Sequence, residues 1–168
     1  MMTIAEILLQ DYDVEAKNTR TTLERIPTHL AEFKPHEKSM PMGRLTMHVA
    51  TLPRFATTML TVEKMDLTQQ KFPPLIFEST EGAVRAFDQT SSELRDILLQ
   101  QSDAELERNW TMVFGDKTIA DGPRLQLFRT MFLNHQIHHR AQLGVYLRLN
   151  NLPVPALYGP SADDRMGF

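Results

Sequence analysis

The stretch Asn134-His135-Gln136-Ile137-His138-His139-Arg140-Ala141-Gln142-Leu143 decides how this chain is read. His135 and His139 are four residues apart, so on a helix they stand about 6 Å apart along the axis and about 40° apart around it. Both imidazoles can then reach one ion. Phe128 and Phe132 before the pair and Tyr146 after it continue the same face, which turns the two rings toward an interior. Two imidazoles buried without partners are costly, and a divalent cation is one group that satisfies both. His138, three residues after His135, fits the pair on spacing alone; helical projection slightly favours His139 and leaves His138 a second-shell, interface or surface role.

Working outward, Asp121 is read as the N-cap of this helix with Pro123 in its first turn, and the periodicity carries it to about Leu149. The tail beyond holds Pro153, Pro155 and Pro160, which forbid a helix, and Val154, Leu157 and Tyr158, which can dock on the rest. Upstream, residues Trp110 to Ile119 alternate in character around Gly115-Asp116, the pattern of a short β-hairpin. A helix is predicted from Ser79 or Thr80 to about Gln100, burying Ala83, Phe87, Leu94 and Leu98. The proline-bearing segment 61–78 reads as a loop.

Another helix spans about Pro41 to Leu60, with Leu45, Leu52, Phe55 and Met59 on one face and Pro53 inside it. His48 falls in the middle of that face, where a hydrocarbon is the default. Alone, it would be read as a hydrogen-bonded core histidine; beside the His135–His139 pair it completes a three-histidine metal site. The first helix opens at Thr3 with Glu6 three residues later, a capping box, and runs toward Pro27 with Ile4, Leu8, Tyr12, Leu23 and Ile26 at helical spacing. Residues 27–41 read as a connection in which His29 and His36 are solvated. Four helices with apolar stripes predict an all-α helical bundle, and no composition break divides residues 1–168, read as one domain.

Composition narrows the chemistry. There are no cysteines among the 168 residues, so any metal is held by His, Asp or Glu, and disulfides, iron–sulfur clusters and a cysteine nucleophile are excluded. A formal net charge of −3 offers no field for a polyanion, so nucleic acid is not expected as a partner. No window approaches the roughly 20 apolar residues of a membrane span and the N-terminus shows no signal-like segment, so the cytoplasm is the expected location.

The sequence resembles the DinB/YfiT-like family of metalloenzymes along nearly its whole length. The resemblance rests on Gly43-Arg44-Leu45-Thr46-Met47-His48-Val49-Ala50, on the segment quoted first, and on Pro155-Ala156-Leu157-Tyr158-Gly159-Pro160-Ser161-Ala162-Asp163. It implies a four-helix bundle with up-down-down-up connectivity, frequent homodimerisation, and a metal held by one histidine of the second helix and two of the fourth, here His48, His135 and His139. Ala141 stands where the family usually has Gly, a small-for-small change. Relatives include thiol-dependent S-transferases and a thiol-dependent maleylpyruvate isomerase.

Three neutral imidazoles leave a divalent ion at least one open position, and zinc, nickel and iron all accept them. The expectation is a metal-dependent transferase or isomerase acting on a small-molecule substrate, with a low-molecular-weight thiol as candidate co-substrate. The alternatives are a hydrolase using a metal-bound hydroxide and a non-enzymatic dimeric stress-associated metal-binding protein. Glu15, Asn134, His138 and Arg140 are candidate second-shell or substrate-orienting groups, against the plainer reading of Glu15, Asn134 and Arg140 as surface or capping residues.

Overall fold

The computed structural model describes residues 1–165; the last three residues of the expected domain lie outside the described residues. The first helix, α1 (Ile4–Leu23), opens with the full capping box: the Thr3 hydroxyl accepts from the Glu6 N–H at 3.2 Å and Glu6 accepts from the Thr3 N–H at 2.8 Å. It stops short of Pro27 because a residue preceding proline avoids the helical region. The chain tightens into i→i+3 bonds from Arg25 to Thr22 and from Ile26 to Leu23. After a 3₁₀ turn (Thr28–Leu30), the Met42 and Gly43 N–H groups donate to Phe33 and Ala31, anchoring the start of α2 (Met42–Thr61). A Cβ at Gly43 would meet the Phe77 Cβ at 2.9 Å and the Ala31 Cβ at 3.2 Å, so glycine lets three backbone segments approach there.

The segment expected to be a loop contains a strand, β1 (Lys64–Asp66). Helix α3 (Thr80–Leu99) is capped by Ser79, whose hydroxyl accepts from the Gly82 N–H at 3.0 Å. A short helix α4 (Asp103–Glu107), capped by Ser102, leads into a hairpin of β2 (Asn109–Phe114) and β3 (Lys117–Pro123). Gly115, at φ +59°, makes its turn. β1 pairs with β2 in parallel, giving a three-stranded sheet in the order β1-β2-β3. The protein is therefore mostly helical with a small sheet, not all-α.

Asp121 is not a helix cap. It sits in β3 opposite Thr111, whose hydroxyl donates to its carboxylate at 2.7 Å, and Pro123 precedes the helix instead. From there α5 (Arg124–Leu127), a π-helical segment (Phe128–Leu133) and α6 (Asn134–Leu149) form one continuous helical run. Arg124, 3% exposed, donates to the carbonyls of Met59, Val62 and Glu105, satisfying the end of α2 and tying it to α4.

Side-chain bonds fix how the long helices run. Asp13–Arg95 and Arg20–Asp88 make α1 and α3 antiparallel. Asp11–Arg129 and Glu15–Arg140 make α1 and the last run parallel, while Met59–Arg124 and His48–His135 make α2 antiparallel to it. Two apolar clusters fill the interior, one around Tyr12, Trp110, Phe128 and Phe132 and one around Leu23, Leu45, Val49, Phe87 and Leu143. Among the described residues no helix is long and apolar enough to cross a membrane.

Candidate metal centre

His48 comes from the middle of α2, and His135 and His139 from consecutive turns of α6 facing it. The π segment decides that facing. The Asn134 N–H bonds to the Arg129 carbonyl five residues back, so one extra residue enters the run before the histidines. Up to Phe132 the buried positions are Arg124, Leu127, Phe128 and Phe132; from Leu133 onward they are Leu133, Gln136, Arg140, Leu143, Tyr146 and Leu147. The deepest stripe of α6 thus passes beside the histidines. All three rings are half-buried at its edge, not in the centre of an apolar face.

The His135 Nε2 lies 2.7 Å from the His139 Nε2 and 3.4 Å from the His48 Nε2. One nitrogen from each ring falls within 4.8 Å of the others. Two ligand nitrogens on one ion at 2.0–2.1 Å are about 2.9 Å apart at a right angle and about 3.4 Å apart in a tetrahedron, close to the two separations found. The donor set fits a divalent transition metal.

The rings are also prepared as ligands. His139 Nδ1 is 2.7 Å from the Gln142 amide oxygen, which can only accept, so the ring proton sits on Nδ1 and the Nε2 lone pair is free. His135 is held through a hydrogen bond to the Met131 backbone. Changing Gln142 to Leu removes the group that fixes this tautomer, and we expect zinc affinity to fall about 10- to 100-fold by competition titration. An unchanged affinity would mean that packing alone orients His139.

Burial, more than any charge, depresses all three imidazole pKa values. For His48 it is joined by repulsion from His139, His135 and Arg44, and the value falls to about 4. His135 and His139 are lowered by burial too, with hydrogen bonds to Met131 and Gln142 acting in the opposite sense. All three rings are therefore neutral near pH 7. In the unfolded chain they protonate near 6.5, so between about pH 4 and 6.5 the unfolded state binds more protons and stability rises with pH. Above that window the rings contribute no pH dependence. Metal-free protein should lose Tm as the pH falls from 6.5 toward 4. Screening of a half-exposed ring leaves about 1 kcal/mol for His48, or about 2–4 °C. Thermal melts of wild type and His48→Gln across this window check it, and parallel profiles would remove burial of His48 as the cause.

The other expected residues divide. Glu15 and Arg140 bond to each other at 2.7 Å, and Arg140 also donates to the Glu15 carbonyl, Thr19 and Tyr158, so this pair fastens α1, α6 and the tail. Asn134 is exposed and, with Glu15, lines an open groove of about 620 Å³ between α1 and the last run. His138 is exposed, its ring centroid 5.0 Å from that of His139, and stays outside the three-nitrogen cluster. His29 and His36 are exposed in the first connection. Gln142 went unnoticed in the sequence although its place three residues after His139 is the spacing a helical hydrogen bond needs.

Residues 1–165 match the family model described as DinB family. The chain belongs to the DinB family. Its DinB fold is shared with a DinB-like protein of Bacillus cereus, at 19% identity and a TM-score of 0.69, covering 90% of this chain and 95% of that one. It is shared equally with a DinB-like protein of Bacillus subtilis, at 20% identity and a TM-score of 0.69, covering 89% and 96%. A candidate DinB family member from Exiguobacterium sibiricum aligns at 17% identity and a TM-score of 0.66, covering 93% and 97%. Curated proteins yielded no matching relative. DinB membership and the three-histidine cluster together fit a metal-binding protein.

Proposed function

We propose that this DinB protein is a metal-dependent transferase or isomerase acting on a small substrate, with a low-molecular-weight thiol as co-substrate. In this reading His48, His135 and His139 hold the metal through Nε2. The observation that carries it is the convergence of three neutral imidazole nitrogens at a half-buried edge. A fully closed structural site would need a fourth protein ligand, and the described His, Asp and Glu residues supply only three to this group. A zinc, nickel or iron ion bound there would lower the pKa of a thiol or polarise a carbonyl. Gln142 holds His139 in register, the Met131 backbone holds His135, and the half-exposed rim admits a small molecule.

We further read the chain as one domain that works as a homodimer in the cytoplasm. A cysteine-free sequence fits a reducing compartment. The helix directions derived above support the family's up-down-down-up four-helix connectivity, with the sheet as an addition whose β1 lies between the second and third long runs and whose hairpin lies between the third and fourth.

The test is elemental analysis of protein purified without chelator or affinity-column metal, beside a variant with His48, His135 and His139 all changed to Ala. Near-stoichiometric metal in wild type and none in the variant is the expected result, followed by turnover of electrophiles that requires both metal and added thiol. Metal-dependent turnover without thiol would favour a hydrolase. Metal without turnover, together with a large Tm loss on chelation, would favour a structural, non-enzymatic role. Failure to bind zinc, nickel, iron or manganese would end the proposal.

A further inference from the structure

Arg44 stands in the first turn of α2, four residues before His48, on the same helical face and about 6 Å away along the axis. Long side chains on a helix lean toward its N-terminus, so Arg44 and His48 lean the same way and stay neighbours on that face, where the Arg44 charge acts on His48. The Arg44 side chain is exposed and has no hydrogen-bond or ion-pair partner among the described residues. Arginines at the helix seams behave otherwise: Arg20, Arg124 and Arg140 are each tied to a carboxylate. The first turn of α2 carries no acidic residue that could occupy Arg44.

The electrostatics of the centre point the same way. The charged groups acting on the three imidazoles are the rings themselves, His138 and Arg44, with no carboxylate among them. A dication held by neutral imidazoles keeps its full charge, and Arg44 adds another beside it. Such a site favours an anionic guest. A single planar guanidinium matches a carboxylate in a bidentate fork, whereas a phosphate dianion ordinarily recruits several donors.

We propose that Arg44 determines the specificity of the three-histidine site by binding the carboxylate of a small substrate or co-substrate whose thiol or carbonyl reaches the metal. This rests on the metal-dependent reading above and names the chemical class that the site selects. Arg44 acts on the substrate's far end, and the histidines on its reacting end.

The test uses cobalt-loaded protein titrated with 3-mercaptopropionate and with 2-mercaptoethanol, thiols with and without a carboxylate, followed by the cobalt absorption bands. Wild type should bind 3-mercaptopropionate at least about tenfold more tightly, a preference that weakens with added salt. Arg44→Met should bind both equally while keeping its cobalt stoichiometry and its affinity for 2-mercaptoethanol; Arg44→Lys should keep part of the preference. A preference that survives in Arg44→Met, or is missing in wild type, overturns the assignment of Arg44. Cobalt and 2-mercaptoethanol binding that remain intact in that case leave the metal reading standing. Wild type that takes up no cobalt, or whose cobalt bands ignore both thiols, fails the metal and thiol reading itself and takes the Arg44 proposal with it.

Discussion

Changing His135 to alanine should lower zinc affinity by more than about 100-fold, beyond the loss typical of an outer-shell partner. The reason is position. His135 Nε2 is within 3.4 Å of the His48 nitrogen and 2.7 Å of the His139 nitrogen, so it bridges the contribution of α2 to that of α6. Without it, two imidazoles from different helices remain, and neither helix supplies a chelating pair. His138→Ala is the matched control, because that ring is exposed and lies outside the cluster; its affinity should stay within about threefold of wild type. Competition titration with a chromophoric chelator, on protein whose circular dichroism matches wild type, reads both. Equal losses in the two variants would mean that His138 shares the coordination and that the ligand set has been drawn wrongly.

What could be read from the sequence was whatever local spacing encodes. Thr3 and Glu6 announce the start of α1 because a capping box closes within four residues, and Ser79 marks that of α3 by a single cap bond from the Gly82 N–H. The His135–His139 pair is legible for the same reason, since four residues on a helix bring two rings to one side whatever surrounds them. His48 is different. Its position on an apolar face made it unusual, and it was joined to the other two by the presence of their pair and by the resemblance; the 87-residue separation of His48 and His135 carries no spacing rule.

The misreadings share the opposite cause. Asp121 looks like an N-cap because Asp before Pro often is one, but the Thr111 hydroxyl across the hairpin takes its carboxylate, and strand pairing settles the matter. β1 is three residues long and is a strand only because Thr111–Val113 lies alongside; three residues cannot display alternation. The π segment did leave a trace. Leu143 and Leu147 projected back in steps of three and four reach Gln136 and Leu133, one residue out of phase with Phe128 and Phe132. The slip was hidden because two positions of the buried stripe, Gln136 and Arg140, are polar, and a hydrophobic pattern does not count them.

Arg140 shows what that hidden stripe does, and truncating it should be the most destabilising single change near the site. At 1% exposure it is a buried cation, and its guanidinium bonds to the Glu15 carboxylate, the Glu15 carbonyl, the Thr19 hydroxyl and the Tyr158 hydroxyl. Arg140→Ala leaves the Glu15 carboxylate, itself only 13% exposed, facing a cavity with Tyr158 as its remaining donor at 2.6 Å. Breaking one side of a buried pair costs about 3–5 kcal/mol, which urea denaturation would read directly. The loss should also free the tail, since Tyr158 would keep only the Glu15 bond while Asp163 still holds Arg148 and the Val154 N–H. Limited proteolysis should then cut after residue 150 sooner than in wild type. Removing both charges together, as Arg140→Met with Glu15→Leu, leaves no buried ion behind and should cost far less than Arg140→Ala alone. If Arg140→Ala costs under about 1 kcal/mol, the guanidinium is not what locks α1, α6 and the tail together, and the apolar stems around it must carry that work.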